Sequence, residues 1–333
     1  MSPIVYATCF GVSLGITLAL TPWVAATARR VGLVDKPDGR LKVHEKPVPY
    51  LGGISVFVGF LVGFSLFFSF DKEVLAVLLG GTLILLLGLL DDLGNFPART
   101  KLLGQALAVL IVLKAGVAIK ITFLPAYVAL PLSFFWLLGL TNAFNLIDIM
   151  DGLSTGVALI ACIFLFVLSV SAGQAGVALM VVSLAGALAG FLRFNFRPAK
   201  IYLGDAGSLF IGYMLGALSL IGVYARKNPV SLLAPLLILG VPIFDTLFVI
   251  IVRYLRGVPV MWGSSDHFAL RLRKWKFSVV QTVTASYAIS FVLGVLALIM
   301  VFGSQRTALT VITAVSVVTL LAAFWLKRID MTL

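Results

Sequence analysis

Charged side chains are scarce in this sequence. Only 11% of the 333 residues are Asp, Glu, Lys or Arg, whereas a soluble domain has about 25%. Apolar residues make up 61% of the chain, and the mean hydropathy is +1.13. Because a spanning helix needs about 20 apolar residues, the length allows roughly ten spans with short loops. The composition excludes a sizeable soluble domain and predicts one polytopic membrane domain over residues 1–333.

The side chains that form disulfides or bind zinc are also few. Cys9 and Cys162 both lie inside apolar segments, so we expect two small buried hydrophobic residues. His44 and His267 are far apart in the sequence, and no zinc-ligand spacing occurs. The chain also lacks a Walker A motif and a GxGxxG motif, which leaves ATP hydrolysis and dinucleotide binding without support.

Long apolar stretches are what the sequence does contain. No Lys or Arg precedes the first stretch, so it lacks the charged start of a cleaved signal peptide and is predicted to be the first span. Eleven stretches each predict a membrane helix. They cover residues 3–28, 50–70, 74–90, 102–119, 124–141, 153–172, 175–192, 206–224, 231–252, 279–303 and 307–326.

The basic residues are unevenly distributed between the alternate loops of such a chain. One set of loops holds 19 of the 25 Lys and Arg residues. By the positive-inside rule that set is cytoplasmic, which predicts an N-terminus outside and a cytoplasmic C-terminus. A net charge of +12 arranged in this way indicates membrane topology and phosphate-bearing partners rather than nucleic acid.

Seven aspartates and no glutamate lie at or just inside the predicted cytoplasmic helix ends. They are Asp91, Asp92, Asp148, Asp151, Asp205, Asp245 and Asp266. A carboxylate near hydrocarbon is costly and usually marks function. The pattern therefore predicts one convergent site at the cytoplasmic face.

Adjacent Asp91 and Asp92 end the third apolar stretch in the segment GLLDDL. Two carboxylates at a helix end suit divalent-metal binding or proton abstraction, because a metal ion or basic neighbours can hold both in the ionised form. A solvated helix terminus explains the pair equally well. The pair alone leaves both interpretations open.

The segment NAFNLIDIMDGL, residues 142–153, is the richest in polar groups. Asn142, Asn145, Asp148 and Asp151 recur every three positions, which on a helix places them along one slowly drifting stripe. Amides and carboxylates can bind ribose hydroxyls, base edges or the hydration shell of a metal ion. Packing does not explain four such side chains, so we predict a functional segment.

The segment IYLGDAGS, residues 201–208, begins another apolar stretch. Glycines around Asp205 at a helix start allow close approach to a phosphate and direct amide donors toward an anion. Asp205 repels that anion unless a cation lies between them, which favours Mg²⁺. The alternative is an ordinary capped membrane helix.

Two inner loops are rich in basic residues. The loop from Arg253 to Phe277 contains His267 and Arg271. Its basic side chains either clamp a diphosphate or lie against lipid head groups, and we favour binding for His267 and Arg271. The second loop runs from VDKPDGR to VPYLGG, residues 34–53, and is a weak signal by itself.

In this order, VDKPDGR, VPYLGG, GLLDDL, NAFNLIDIMDGL, IYLGDAGS and PIFDT resemble the polyprenyl-phosphate N-acetylhexosamine-1-phosphate transferase family. The resemblance runs from Val34 to about Ser278, and VPYLGG is more similar to the GlcNAc-1-phosphate branch than to the pentapeptide branch. It implies transfer of a sugar-1-phosphate, with GlcNAc-1-phosphate the expected group, from a UDP-sugar to undecaprenyl phosphate. The expected location is the bacterial cytoplasmic membrane.

The resemblance also implies site residues and a cofactor, Mg²⁺, with Mn²⁺ as an alternative. Catalytic roles are expected for Asp91, Asp92, Asn145, Asp148 and His267. Substrate binding is expected for Lys46, Lys101, Asp151, Tyr202 and Arg271. Metal binding is expected for Asp91, Asp92 and Asp205.

The sequence departs from the family pattern at two positions. Ile149 replaces the first glycine of a DGxDG run, and Leu270 replaces the second histidine of a DHxxHRL-like run. We expect Ile149 to reshape the nucleotide pocket and change the choice of sugar donor. Since neither departure removes a carboxylate, an active enzyme is expected.

Two other functions are weighed against this one. The pentapeptide transferase of the same family differs in its sugar donor. A transporter or flippase also has intramembrane acids, but it places them near the midplane, often within inverted repeats, and no repeat of the acidic motifs is seen. The small residues of the segment 186–190 predict close helix contacts, either within one subunit or in a homodimer.

Overall fold

The structure is a computed structural model that describes residues 1–35, 47–67, 71–94, 96–120, 124–222, 224, 228–259, 266–329 and 331. It contains two compact units, Met1–Gly222 and Val223–Leu333, and each unit is described by itself. The prediction of one domain over residues 1–333 stays a prediction.

In its described residues the first unit contains eight helices and one short antiparallel strand pair. The helices are α1 Pro3–Arg30, α2 Gly52–Ser65, α3 Lys72–Gly94, α4 Ala98–Lys114, α5 Ala126–Leu146, α6 Leu153–Ser171, α7 Ala175–Asn195 and α8 Gly204–Ile221. The strands are β1 Val34–Asp35 and β2 Val48–Pro49, with Val34 opposite Pro49.

The second unit is also helical in its described residues. A 3₁₀ turn, Pro229–Leu233, precedes α9 Ala234–Ile238, α10 Gly240–Leu255, α11 Phe268–Lys274, α12 Val279–Phe302 and α13 Gln305–Lys327. The chain bends by 76° between Pro229–Ile238 and Gly240–Leu255. The predicted continuous stretch 231–252 is therefore a broken one. Gly240, Pro235 and Pro242 lie around the break, and both residue types weaken a continuous helix.

The helices confirm an all-α integral membrane protein. Among the described residues, eight helices are long and apolar enough to cross a membrane, and the bent pair makes a ninth if it counts as one span. Each of the eleven predicted stretches contains a helix, but α2 has only 14 residues and α4 only 17. Those two helices fall short of the about 20 residues that a span needs.

Helix α8 lies at the centre of the first unit. It contacts α2, α3 and α5, and most of its side chains are buried. Helix α7 is similarly enclosed and packs against α1 and α6. Because α8 begins with the segment that contains Asp205, the core of this unit fixes the position of that carboxylate.

The small residues at 186–190 make their contacts within one chain. A Cβ added at Gly186 would lie 2.3 Å from the carbonyl oxygen of Phe10, and one added at Gly190 would lie 2.8 Å from that of Leu14. Both distances are far below van der Waals contact, so the glycines allow α7 to approach the backbone of α1. This segment gives no support to the predicted homodimer.

The segment VPYLGG pairs through its backbone with the segment that leads into α8. The Tyr202 N–H donates to the Pro49 carbonyl, and the Gly52 N–H donates to the Tyr202 carbonyl, both at 2.9 Å. The Gly53 N–H donates to the Leu203 carbonyl, also at 2.9 Å. A loop that is a weak signal in the sequence therefore holds the start of α8 in place.

Candidate active site

Asp91 and Lys101 meet where α3 turns into α4. The Lys101 ammonium lies 2.8 Å from Oδ2 of Asp91, and Oδ1 of Asp91 accepts a 2.7 Å hydrogen bond from the Phe96 backbone N–H. The side chains of Lys101 and Asp91 are only 15% and 11% exposed. The turn thus encloses an ion pair largely away from solvent.

The same ammonium also contacts a second carboxylate, that of Asp205 at the start of α8. Lys101 therefore bridges Asp91 and Asp205, which come from two different helices. Two negative charges around one positive charge leave a net negative site. Such a site attracts a second cation, or a substrate that is accompanied by one.

Asn145 fixes the other side of Asp205. Its side-chain amide donates to Oδ1 of Asp205 at 2.7 Å and to the Ser208 hydroxyl at 2.9 Å. The Ser208 hydroxyl in turn donates to the Gly204 carbonyl at 3.0 Å. Asn145 lies on α5, which continues to Leu146, five residues beyond the predicted end of that span. This extension of the helix brings the amide to Asp205.

Asp92 has a different set of partners from Asp91. Its two oxygens accept hydrogen bonds from the backbone N–H groups of Asp205, at 2.9 Å, and Ala206, at 3.1 Å. The sequence predicts that the amides at this helix start face an anionic substrate. For the N–H groups of Asp205 and Ala206 this prediction is wrong, because both donate to the Asp92 carboxylate. Asp92 acts as the cap of α8, and metal binding by its carboxylate stays a prediction.

Gly204 is required by this cap. Its φ of +73° lies in the left-handed region that favours glycine. A Cβ at this position would lie 2.7 Å from Oδ2 of Asp92. Both the backbone conformation and the close carboxylate therefore exclude a larger residue at position 204.

Asp148 follows the end of α5 and is half-buried. Burial, followed by the negative charges of Asp205, Asp92 and Asp151, raises the pKa of its carboxyl group to about 8. Among the described residues, the Asp148 carboxylate accepts no hydrogen bond. A carboxyl group whose pKa lies near the working pH can exchange a proton with substrate.

Asp151 is held by the chain that precedes α8. Its Oδ2 accepts a 3.1 Å hydrogen bond from the Ala199 backbone N–H and lies 3.9 Å from the Arg197 guanidinium. Burial, and then the charge of Asp151, raises the pKa of the half-buried Tyr202 above its ordinary value, so Tyr202 is a neutral phenol. Asp151 and Tyr202 are electrostatic neighbours, and their role in substrate binding stays a prediction.

Gln105 and Asn142 form a polar bridge that sequence reasoning missed in part. The Asn142 amide donates to the Gln105 carbonyl oxygen at 2.6 Å, and the Gln105 amide donates back at 3.3 Å. Gln105 is fully buried on α4. Its position within an apolar stretch, four residues after Lys101, is the signal that could have identified it.

His267 and Arg271 belong to the second unit. Nδ1 of His267 lies 2.6 Å from Oδ2 of Asp245, and the backbone N–H of Phe268 donates to Oδ1 of Asp245 at 2.8 Å. Asp245, within the PIFDT motif, is a functional candidate for which the sequence suggested no individual role. Leu270, the departure from the family pattern, lies on the same short helix, α11.

Arg271 is fully buried. Its guanidinium donates to Oδ1 of Asp266 at 2.8 Å and to the carbonyl groups of Leu326, at 3.1 Å, and Ile329, at 2.7 Å. It also stacks over the ring of Phe248. These contacts join α11 to the end of α13 and favour a structural role, and substrate binding by Arg271 stays a prediction. Lys46, also predicted to bind substrate, lies outside the described residues.

Asp91 and Asp205 form a donor set that suits Mg²⁺. No cluster of three or more His, Cys, Asp or Glu side chains with metal-binding geometry is present in the described part of the chain. Mg²⁺ does not require one, because proteins usually bind it through one or two carboxylates, with water and substrate phosphates completing the shell. Two carboxylates that already share a cation, the Lys101 ammonium, fit that requirement.

Comparisons with known proteins agree with these motifs. Residues 74–223 match the model of glycosyl transferase family 4. A Bacillus subtilis protein described as a probable undecaprenyl-phosphate N-acetylglucosaminyl 1-phosphate transferase is 35% identical over 300 residues, 87% of this chain and 84% of its own length. A Mycolicibacterium smegmatis decaprenyl-phosphate N-acetylglucosaminephosphotransferase is 32% identical, covering 77% of this chain and 72% of its own.

The pentapeptide branch is also represented among the relatives. A Carboxydothermus hydrogenoformans phospho-N-acetylmuramoyl-pentapeptide-transferase is 30% identical over 313 residues, 85% of this chain and 94% of its own length. The relatives therefore share a reaction class and differ in the sugar donor that their names give. The chain belongs to glycosyl transferase family 4, the polyprenyl-phosphate N-acetylhexosamine-1-phosphate transferases.

Proposed function

We propose that this chain transfers GlcNAc-1-phosphate from UDP-GlcNAc to undecaprenyl phosphate and releases UMP. The observation that carries the proposal is the pair of carboxylates, Asp91 and Asp205, around the ammonium of Lys101 at the ends of apolar helices. Phosphoryl transfer depends mainly on positioning and on neutralising charge, and this arrangement supplies both. The names of the relatives support the sugar and the lipid.

The reaction is an exchange at the sugar-linked β-phosphorus of the donor. An oxygen of the lipid phosphate forms a new bond to the β-phosphorus. The bond between the β-phosphorus and the oxygen that bridges it to the α-phosphate breaks. The leaving group is UMP, and the lipid product carries a diphosphate. A double displacement through an aspartyl phosphate gives the same products.

Mg²⁺ is the proposed cofactor, and Mn²⁺ is an alternative. Asp205 and Asp91 are the residues that would hold it, because their carboxylates converge on one cation position. When bound, the ion supplies neutralisation of the diphosphate and of the departing phosphate. Asn145, through its bond to Oδ1 of Asp205, keeps that carboxylate oriented.

The protein's own residues divide the remaining work. Lys101 carries a positive charge that balances two carboxylates and, once a divalent ion is present, is free to donate to a phosphate oxygen. Asp148 is placed to accept or return a proton, since the pKa of its carboxyl group is about 8. The second pKa of a phosphate is about 6, so the lipid phosphate is largely ionised and positioning contributes more than base catalysis.

The proposed topology has eleven spans, an N-terminus outside and a cytoplasmic C-terminus, in a bacterial cytoplasmic membrane. Supporting it are the helices found in all eleven predicted stretches and the 19 basic residues in one set of loops. Asp91, Asp148 and Asp205 then lie at the cytoplasmic face, where the nucleotide sugar is present.

Pentapeptide transfer is the second candidate within the family. This candidate is supported by the pentapeptide transferase relative, which matches this chain at 30% identity over 94% of its own length. A transporter of phosphorylated sugars or lipids is the rival from another class, and it would bind the same substrates without breaking a bond.

The test is UMP release by purified protein in detergent with undecaprenyl phosphate and Mg²⁺. UDP-GlcNAc and UDP-MurNAc-pentapeptide are compared as donors, and samples without lipid or with EDTA are controls. The proposal requires release from UDP-GlcNAc that depends on both lipid and metal. Release from the pentapeptide donor alone would assign the chain to the second branch, and no release from any donor by folded protein would contradict transfer.

A further inference from the structure

A buried carboxylate and a buried imidazole lie together in the second unit. Asp245 on α10 is fully buried, and His267 is 4% exposed. The distance between Nδ1 of His267 and Oδ2 of Asp245 is 2.6 Å. Burying a charge is costly unless it is paired and hydrogen-bonded, so this contact satisfies two groups that would each be costly alone.

The second oxygen of Asp245 reaches the backbone of the same segment. Its Oδ1 accepts the Phe268 N–H at 2.8 Å, and His267 is the residue that immediately precedes α11. One carboxylate therefore holds both the imidazole ring and the backbone next to it. This double attachment restricts the position and the rotation of the ring.

The carboxylate also dictates which ring nitrogen carries hydrogen. An ionised carboxylate has no hydrogen to donate, so when Asp245 is ionised Nδ1 of His267 is the donor in this contact. Nε2 is then the ring atom that remains for another partner. A third group that orients a histidine in this way is a recurrent feature of sites in which the histidine acts on substrate.

Helix α11 has other attachments besides this pair. Arg271, on the same short helix, already bonds to Asp266 and to the carbonyl groups of Leu326 and Ile329. Arg256 adds a second ion pair to Asp266, at 2.8 Å. The Asp245–His267 contact therefore orients the imidazole ring, next to a helix that other contacts also attach.

We propose that Asp245 is a positioning residue for the transfer reaction, and that it fixes His267 in the form with hydrogen on Nδ1. This assignment leaves Nε2 of His267 as the ring atom that can bond to a phosphate group. The kinetic part of this inference rests on the proposed function, whereas the state of the ring does not.

The state of the ring can be measured directly because the chain has only two histidines, His44 and His267. Protein labelled with ¹⁵N-histidine in a His44→Gln background gives one set of ring signals, and UMP release by that background is checked first. We expect the Nδ1 signal of a protonated nitrogen. In Asp245→Asn the carboxylate is lost and the hydrogen is expected to move to Nε2, whereas Asp245→Glu restores hydrogen on Nδ1.

Kinetics provide the second measurement. Loss of a partner that orients a metal-binding histidine costs about 10- to 100-fold. We expect a fall of the same size, about 10- to 100-fold, in kcat for UMP release by Asp245→Asn, with little change in KM. Asp245→Glu should recover part of the loss. In a His267→Gln background Asp245→Asn should cause no further loss, since Asp245 acts through the histidine.

Asp266→Asn is the matched control, because it removes a neighbouring carboxylate that pairs with Arg271. It should lower the melting temperature without changing the ring signals. The inference is overturned if Nδ1 of His267 lacks hydrogen in the parent protein. It is also overturned if Asp245→Asn lowers only the melting temperature, with kcat and the ring unchanged. If Asp245→Asn does not fold, Asp245→Glu is tested by the same two measurements, the ring signals of His267 and kcat for UMP release.

The two proposals fail in distinguishable ways. A parent protein that releases no UMP from any donor contradicts the proposed transferase function, and the ring signals then still decide whether Asp245 sets the state of His267. If the parent protein releases UMP but Asp245→Asn leaves kcat unchanged, the proposed transferase function stands and the inference about Asp245 fails.

Discussion

Asp92 and Asp245 each hold the start of a helix to which they do not belong, but with different partners. Asp92 uses both carboxylate oxygens on backbone N–H groups at the start of α8. Asp245 uses one oxygen on the backbone at the start of α11 and the other on the ring of His267. The first carboxylate sets the position of a helix, whereas the second also sets the state of a side chain that can do chemistry.

The same contrast separates Asp92 from its neighbour Asp91. Asp91 contacts the backbone through one oxygen and the Lys101 ammonium through the other. When one carboxylate oxygen is bound to the backbone, the partner of the other oxygen therefore distinguishes a candidate reactive acid from a capping acid. By this criterion we propose Asp91 and Asp205 as the reactive carboxylates of the first unit, with Asp92 as their support.

The largest expected effect is that of Asp205→Asn. The change removes one of the two carboxylates that share the cation position, so UMP release should fall about 10³-fold. Glu73→Gln is the matched control, because it removes a carboxylate that pairs with the exposed Lys120. A similar loss in both variants would contradict a specific role for Asp205.

Replacements of Asp92 separate capping from ligand binding. Asp92→Ala leaves two backbone N–H groups without partners, so the free energy of unfolding should fall by about 1–3 kcal/mol. Asp92→Asn keeps one acceptor oxygen, so it should retain more stability and more UMP release than Asp91→Asn. Thermal unfolding and turnover are measured on the same samples. A loss of turnover in Asp92→Asn as large as in Asp91→Asn, without loss of stability, would assign a ligand role to Asp92.

Lys101→Met sharpens the comparison at the shared cation position. Without the ammonium, Asp91 and Asp205 carry uncompensated charge, so Mn²⁺ should bind about tenfold more tightly in the absence of substrate. Turnover should fall, because the cation that meets a phosphate oxygen is lost. Titration of Mn²⁺ by electron paramagnetic resonance measures the affinity, and Lys120→Met is the control. Unchanged or weaker Mn²⁺ binding would contradict a shared position.

The smallest effect is expected for Ile149→Gly. The Ile149 side chain is 36% exposed, and substitutions at such positions usually change the free energy of unfolding by at most about 0.5 kcal/mol. A free-energy change of the same size in the donor complex alters the ratio of kcat/KM for UDP-GlcNAc over UDP-MurNAc-pentapeptide by about twofold, and that is the effect we expect. A larger change would confirm the expectation from sequence that Ile149 shapes the donor pocket.

The helices are the part that sequence predicted well. Long apolar runs have only one way to satisfy their backbone groups in a membrane, so helices occupy all eleven stretches. The break at Leu239 was missed, although Pro235, Gly240 and Pro242 surround it. Hydropathy measures composition and does not register a bend.

Pairings between distant segments could not be predicted. The contact of VPYLGG with the start of α8 consists of backbone hydrogen bonds, which have no residue signature. A Cβ at Gly53 would lie 2.3 Å from the Gly207 nitrogen, so the glycines of these two motifs pack against each other. The Asp245–His267 pair joins residues of two separate motifs, and only the fold of the unit brings them together.

The most direct test of the central claim follows the phosphorus. UDP-GlcNAc labelled with ³²P at the β-position is incubated with the protein, undecaprenyl phosphate and Mg²⁺, and the lipid and nucleotide products are separated. The account predicts that the label enters the lipid fraction and that the released UMP is unlabelled. Label retained in UDP would show transfer of the sugar without its phosphate, and label that never leaves UDP-GlcNAc would contradict a transferase.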